Sequence, residues 1–491
     1  MQSHPSVDPA TRYTSYICQT SRVYREWGVR VKKPLESNFV PAIANTRRFR
    51  APWAIFWAGL ALRLLCIAIG HTYRIRVPMN HFGFGWEAGR IAQSLALGQG
   101  YANPFNGPSG PTAWLPPLYP LLMAASFKIF GIYTNAAAFF LLACNSVFSA
   151  AIAPAVYEIA ARCFDAYGTA RRSAKYTEPV ALWSAWLWAV YPAALQYAIH
   201  WLWEMSLSTC LFTWTLVLAL RLRRVGENTQ QGFAGSYPSP PSRLGTWAAF
   251  GLLWGLVSLS NASLLLCLPA TIIWILWPQF LNPKTLLHPV AGAALASVVF
   301  AAVMTPWIIR NERVMHAFIP TRSNLGLELY ESTLPSHDAF PWGTTMPLWA
   351  GDPEFQRFVR LGEVQYAHIR GDEAKARLRA NPMQFLRFTL DRFLFFWDDT
   401  PHAVDKHPTQ EFFRDLSYAF LSLCGLLGLG LALKRHIPGV GLFAVTFLLV
   451  PLPYYLVTVQ ARFRHPIEPL IAVLAVYLFR STEPRQRKAA L

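Results

Sequence analysis

Residues 52–70 read PWAIFWAGLALRLLCIAIG, an apolar run whose one charge is Arg63. Its length is enough to cross the hydrocarbon core of a bilayer. The 50 residues ahead of it are polar, carry nine Lys/Arg against three acids, and scatter Pro5, Pro9, Pro34 and Pro41. Such a stretch is expected to stay disordered. Its basic character puts the start of the run in the cytoplasm, so the chain emerges on the outer side. No signal peptide is expected, because the run begins only at Ala51 and no small-residue cleavage site follows.

The rest of the chain agrees with a membrane protein. Over 491 residues it is 53% hydrophobic and 14% charged, with 19 Trp and 33 Phe, more apolar surface than a soluble core of this size needs. A net charge of +18 would suggest nucleic acid in a soluble protein, but here most Lys and Arg must flank spans. Further apolar runs lie at 116–131, 136–161, 179–199, 204–221, 245–262, 263–280, 289–309, 412–433, 439–458 and 466–480. If every run crosses, the basic loop Arg162, Arg171, Arg172, Lys175 lands outside, against the positive-inside rule. The run 116–131 is short, opens with Pro116-Pro117 and holds Lys128. With it kept as an outer-face helix, that loop, Arg221–Arg243, Lys284, Lys434-Arg435 and Arg480–Lys488 all become cytoplasmic. Ten spans with two short interfacial outer helices are expected.

The expected organisation is a basic tail (1–50), an N-terminal membrane module (51–309) with a first outer loop (71–135), an outer-face soluble insertion (310–411), a C-terminal membrane module (412–480) and a cytoplasmic tail (481–491). Residues 226–243, GENTQQGFAGSYPSPPSR, read as a flexible linker. Charges from 310 to 410 balance at twelve basic to thirteen acidic. Helical spacing over Pro353–Arg379 predicts a small cap. None of the seven cysteines falls on an outer loop, so disulfides are not expected, and their spacing suits no zinc site.

Polar groups near a membrane are expensive and call for a reason. Glu87 is the one acid between Gly70 and Asn135, at the head of a helix-like stretch that Gly98 and Gly100 close. It reads either as a first-turn acid favoured by the helix dipole or as a general base whose pKa partial burial raises. His81 and the segment Phe82-Gly-Phe-Gly-Trp86 precede it; the glycine spacing is no nucleotide loop, since no strand precedes it. Trp114, Pro116, Pro117 and Tyr119 form an aromatic corner, either an interfacial belt or a stacking wall for a sugar. The second feature is Gln460-Ala-Arg-Phe-Arg-His-Pro-Ile-Glu-Pro469, a short outer loop. Arg462 and Arg464 stand on the side where positive charge is disfavoured; they either pair with Glu468 and lipid head groups or bind a phosphate bidentately. Glu204, after Tyr197, His200 and Trp201, faces the same compartment. Arg63, Asn145, Glu158, the sequon Asn261-Ala-Ser263 and Asp398-Asp399 read as structural.

The order of these elements resembles a family. An acid ahead of an amphipathic helix ending in GQGY, then PTAWLPPLYPLL, then YPAALQYAIHWLWE, is similar to the polytopic glycosyltransferases of the GT-C fold. The glycosyltransferase 39-like enzymes, related to protein O-mannosyltransferases and the lipid A aminoarabinose transferase, resemble it most. RFRHPIEP resembles their RxRxPxxP-type element. The likeness covers roughly residues 52–310 and 412–480, and no single motif in it is distinctive. It implies transfer of a sugar from a polyprenyl-phosphate carrier to a glycan, lipid or protein acceptor on the outer, periplasmic face of the inner membrane, usually with inversion. The family's first-loop acid, frequently Asp, falls on Glu87, one methylene longer. Arg462 and Arg464 would neutralise the departing lipid phosphate. Glu204, with His81, Trp114, Tyr119 and His200, would bind substrate. No metal or other cofactor is expected, and no nucleic-acid partner; the lipid bilayer is the surrounding partner. A transporter or lipid flippase would show inverted repeats and broken mid-membrane helices, and a non-catalytic envelope assembly protein would keep the fold without the acid.

Overall fold

The computed structural model describes residues 40–75, 81–165, 180–227, 243–280, 287–335, 346–400 and 408–482. The basic tail before Val40, Arg171, Arg172, Lys175, Lys284, residues 228–242 of the linker and the C-terminal tail from Glu483 lie outside them. The chain divides into Met1–Arg48 and Phe49–Leu491, and apart from the first turns of α1 everything below lies in the second unit.

Among the described residues the protein is all α, with isolated bridges at Ala102–Pro111 and Asn106–Trp349 in place of a sheet. The N-terminal module comprises α1 (Val40–Gly70), α2 (Glu87–Ala96), α3 (Leu118–Phe130), α4 (Asn135–Ala160), α5 (Val180–Val190), α6 (Pro192–Ile199), α7 (Met205–Leu222), α8 (Arg243–Ser258), α9 (Cys267–Phe280) and α10 (Leu287–Met315). The insertion folds as α11 (Leu325–Glu331), α12 (Pro353–Leu361), α13 (Glu363–Ala380) and α14 (Pro382–Asp398). The C-terminal module follows as α15 (Pro408–Lys434), α16 (Val440–Leu449), α17 (Leu452–Leu456) and α18 (Glu468–Thr482). Stretches Pro52–Gly70, Asn135–Asp165, Met205–Leu222, Leu287–Met315 and Arg414–Lys434 are long and apolar enough to cross a membrane. The chain is a multi-pass membrane protein.

Several apolar runs are not single helices, for reasons written in the residues. The run 179–199 breaks at Tyr191-Pro192, because proline has no N–H to continue the ladder. The break leaves carbonyls of α5 without intrahelical partners, and Ala189 O is taken by Arg63 Nη1 at 2.9 Å. Arg63 is fully buried; it also donates to Gly59 O (3.0 Å) and Ser149 Oγ (3.1 Å), tying α1, α4 and α5 together. The run 439–458 is interrupted at Pro451, between α16 and α17. The helix α3 has 13 residues, about 20 Å at 1.5 Å per residue, short of the roughly 30 Å core. The predicted cap over Pro353–Arg379 is two helices, split where Gly362 takes φ +74°.

One apolar core joins α4, α5, α7, α8, α15, α16 and α18, so the two membrane modules pack as one body despite the insertion between them. Small residues let helices approach closely, as in membrane interfaces generally. Gly251 and Gly255 sit four apart on α8, and a Cβ on either would strike Ala296 O (2.2 Å) or Val303 Cγ1 (2.6 Å) of α10. Gly428 of α15 does the same against Leu474 O of α18 at 2.4 Å. At the other end of α4, Glu158 is held by Arg162 Nε (2.8 Å) and by Arg221 Nε (2.7 Å), an ion cluster that pins α4 to α7.

Candidate active site

The loop before α2 is bent by its glycines. Gly85 takes φ +73°, and a Cβ there would stand 2.3 Å from Leu202 O; a Cβ on Gly89 would stand 2.4 Å from Phe84 O. Only hydrogen at these positions lets the loop between α1 and α2 close on itself and against the backbone that leads to Trp203 and Glu204. Trp86 between them has φ +44°, a strained conformation for a bulky residue of the kind that collects at functional sites. Glu87 then opens α2 in its first turn, with the carboxyl buried. Gly98 at φ +77° ends the helix, with its N–H donating to Leu95 O.

Burial pushes the Glu87 carboxyl pKa up from its ordinary value; a backbone hydrogen bond and the positive charges of Arg462, Arg90 and Arg322 act the other way. Those three arginines come from three parts of the chain. Arg462 lies on the short helical turn Ala461–Ile467, partly exposed, with its guanidinium 3.7 Å over the Trp203 ring and 5.4 Å from that of Phe463. It makes no hydrogen bond or ion pair to any described residue. Burial lowers its pKa, while Glu204, Glu87 and Glu328 raise it. Arg322, from the insertion, donates to Asn324 Oδ1 at 2.5 Å and to Glu328 Oε1 at 3.0 Å. Glu328 in turn accepts from Thr458 Oγ1 at 2.8 Å, bracing the insertion against the C-terminal module. Arg90 is buried 4.9 Å from the Trp86 ring, and its Nη1 and Nη2 find no hydrogen-bond partner among the described residues.

The structure therefore gathers three of the expected residues, Glu87, Glu204 and Arg462, and adds Arg90, Trp203, Arg322 and Glu328. The others have different surroundings. Arg464 is fully buried: Nη1 donates to Tyr418 O (3.2 Å), Trp397 O (3.3 Å) and Ser422 Oγ, Nη2 to Glu468 Oε1 (3.4 Å), and Tyr418 stacks beneath it at 3.3 Å. Its neighbour His465 shares a 2.6 Å hydrogen bond with Glu468 Oε2. Trp114 is 1% exposed, walled by Phe105 and Phe358 in the core between the first loop and the insertion. Tyr119 is equally buried. Its hydroxyl meets Asn145, whose Nδ2 also donates to Trp201 O at 2.9 Å, so this pair fixes the loop carrying Trp203 and Glu204. His200 is exposed at the end of α6. His81 begins the turn His81–Phe84, but its side chain lies outside what is described.

The insertion is clamped to the first loop by a carboxylate that sequence reading passed over. Glu363, the first residue of α13, accepts from Ala113 N (2.7 Å), Ser323 Oγ (2.5 Å) and Thr112 Oγ1. Arg310 adds two bonds of 2.6 Å to the carbonyls of Thr112 and Tyr101. Asp399, at the end of α14, pairs with Arg414 Nε at 2.8 Å. Asn261 Oδ1 accepts from Ser263 N, capping the turn Ala262–Leu266. Among the described residues no three His, Cys, Asp or Glu side chains come together as a metal site.

No family model matches the sequence, and no curated protein does. Solved structures are similar to it in fold. The oligosaccharyltransferase of Archaeoglobus fulgidus, solved with zinc and sulfate, aligns over 86% of this chain at 16% identity and a TM-score of 0.46. This chain spans about half of that protein, 48% of its length. ArnT from Cupriavidus metallidurans bound to undecaprenyl phosphate aligns over 86% of this chain and 78% of its own, at 14% identity and a TM-score of 0.34. The solved structures to which this all-α membrane fold is similar are thus GT-C glycosyltransferases.

Proposed function

We propose that the protein is an integral-membrane glycosyltransferase that moves a sugar from a polyprenyl-phosphate donor to an acceptor on the outer face of the membrane. One observation carries the reading: the Arg462 guanidinium, which has no hydrogen-bonding partner among the described residues, lies near enough to the buried Glu87 carboxyl that each acts on the other's charge. Glu87 takes the proton from the acceptor hydroxyl or amine as that atom bonds to the anomeric carbon. The bond from that carbon to the phosphate oxygen breaks, and the polyprenyl phosphate leaves with the electron pair. Arg462 meets the charge that develops on the phosphate, held against the Trp203 ring before the reaction begins. Arg464 is the positioning residue behind it, since its Nη1 and Nη2 donate to Tyr418 O, Trp397 O, Ser422 Oγ and Glu468 Oε1. Glu204, whose charge acts on Arg462, and Arg90, whose charge acts on Glu87, are the further groups that would meet the sugar or acceptor. A lipid-linked donor suits the place, because its phosphate must sit at head-group depth while its chain stays in the bilayer.

The test is binding of undecaprenyl phosphate to the detergent-solubilised protein. Hydrogen bonds to charged groups contribute about 1.5–3 kcal/mol, so Arg462→Ala is expected to weaken binding by roughly tenfold or more, with Arg462→Lys between. Unchanged affinity in both variants would remove Arg462 from the donor site.

A further inference from the structure

The helix α14 belongs by sequence to a charge-balanced insertion, yet its surface is not that of a water-soluble cap. Met383, Leu386, Leu390, Phe393 and Leu394 recur at helical spacing and are all exposed, from 46% for Phe393 to 74% for Met383. They form one continuous stripe, with Arg387 and Asp391 along a single edge. The opposite face packs against the end of α11 and against α17. Arg392 there is buried and donates to Tyr455 O (2.8 Å) and Ser332 O (3.0 Å). Phe396 stacks on Tyr454, and Trp397 Nε1 donates to Tyr455 Oη at 2.8 Å.

The depth of the helix follows from one contact. Trp397 O accepts from Ser422 Oγ at 2.5 Å, and Ser422 lies eight residues inside the apolar stretch Arg414–Lys434. At 1.5 Å per residue that is about 12 Å below the mouth of the span. The outward residues of that same apolar stretch, Leu416, Phe420 and Leu423, are exposed apolar side chains like those of α14, and α14 packs against that helix. We infer that α14 is seated in the membrane, its exposed stripe against the lipids of the leaflet on the cleft side and its C-terminal end within the acyl chains. Arg379 at the end of α13 and Arg387 are exposed toward the shallow end, where guanidinium groups meet lipid phosphates.

The seating matters to the site because α14 packs against Ala461–Ile467, the turn that bears Arg462. A helix anchored in lipid on one face and on that turn by the other sets the depth at which Arg462 waits. This last consequence rests on the reading of Arg462 above; the seating itself does not.

The experiment uses the full chain in nanodiscs of phosphatidylethanolamine and phosphatidylglycerol. Nitroxide labels are placed singly at Met383, Leu386, Leu390 and Leu394, and at Asp372 on α13 as an aqueous control, in a background with the seven native cysteines replaced. Oxygen accessibility relative to that of a nickel chelate should rise from 383 to 394 and be lowest at 372. Nickel reaching 390 and 394 as freely as 372 would overturn the proposal. A photoreactive benzoylphenylalanine at Phe393, with the cysteines intact, gives an independent reading: a lipid adduct is expected, and protein adducts with no lipid adduct would overturn it. Neither readout depends on catalysis, so failure of the transferase reading would leave both unchanged.

Discussion

Glu87 is held between burial, which favours the protonated acid, and three arginines, which favour the carboxylate; burial prevails. A general base must be unprotonated, so the rate should climb with pH along an acid limb whose midpoint lies above the ordinary glutamate value of about 4.3. The sign for stability is the reverse. A carboxyl whose folded pKa is raised contributes stability below its unfolded pKa and loses it as pH rises through the folded one. Glu87→Gln should therefore raise the melting temperature at neutral pH while losing activity, which a thermal scan at two pH values checks; a fall at neutral pH would count against the buried-base account. At this scale the sequence was half readable. Glu87 and Arg462 stood out because each is a charge where its surroundings disfavour one. Arg464, two residues on with the same signal, is packed inside, and nothing in its spacing distinguished the pair. Arg322, Glu328 and Trp203 come from other elements, and only folding brings them to Glu87.

Between elements, the glycines decide how closely the loop bearing Glu87 approaches its partner. Gly85→Ala adds a methyl 2.3 Å from Leu202 O on a backbone with φ +73°. It should lower transfer at least tenfold, with a loss of stability of about 1–3 kcal/mol; wild-type kinetics would show that the contact between the two loops is dispensable. Arg63→Met removes three donors and leaves Ala189 O unpaired at the Pro192 break. A loss of about 2–4 kcal/mol is expected, read as a lower melting temperature in detergent. The run 179–199 was expected as one span, and Pro192 divides it into α5 and α6; the glycines of α8 and α15 carried no expectation, since close approach is a property of two helices together.

Across the whole molecule, α13 is joined to the segment between α2 and α3 through Glu363, whose pKa burial raises while Ser323, Thr112 and Ala113 hydrogen-bond to it. Glu363→Ala strands these donors and should loosen the insertion, giving faster proteolysis between α10 and α14. Glu363→Gln, which keeps an acceptor without the charge, should be milder and should lessen the loss of stability as pH rises through the folded pKa. The all-helical membrane character could be read from hydropathy. The clamp could not, because Glu363 is 250 residues from Ala113 and reads locally as a first-turn acid. The central claim is that Glu87 and Arg462 make one site acting on a polyprenyl-phosphate sugar. The most direct measurement is release of labelled sugar from such a carrier by the reconstituted protein, with Glu87→Gln beside the native chain. The account predicts a rate lower by about 10²–10⁴ in the variant with the carrier still bound. Transfer by Glu87→Gln at the native rate, or movement of intact carrier across the vesicle without release of sugar, would contradict it.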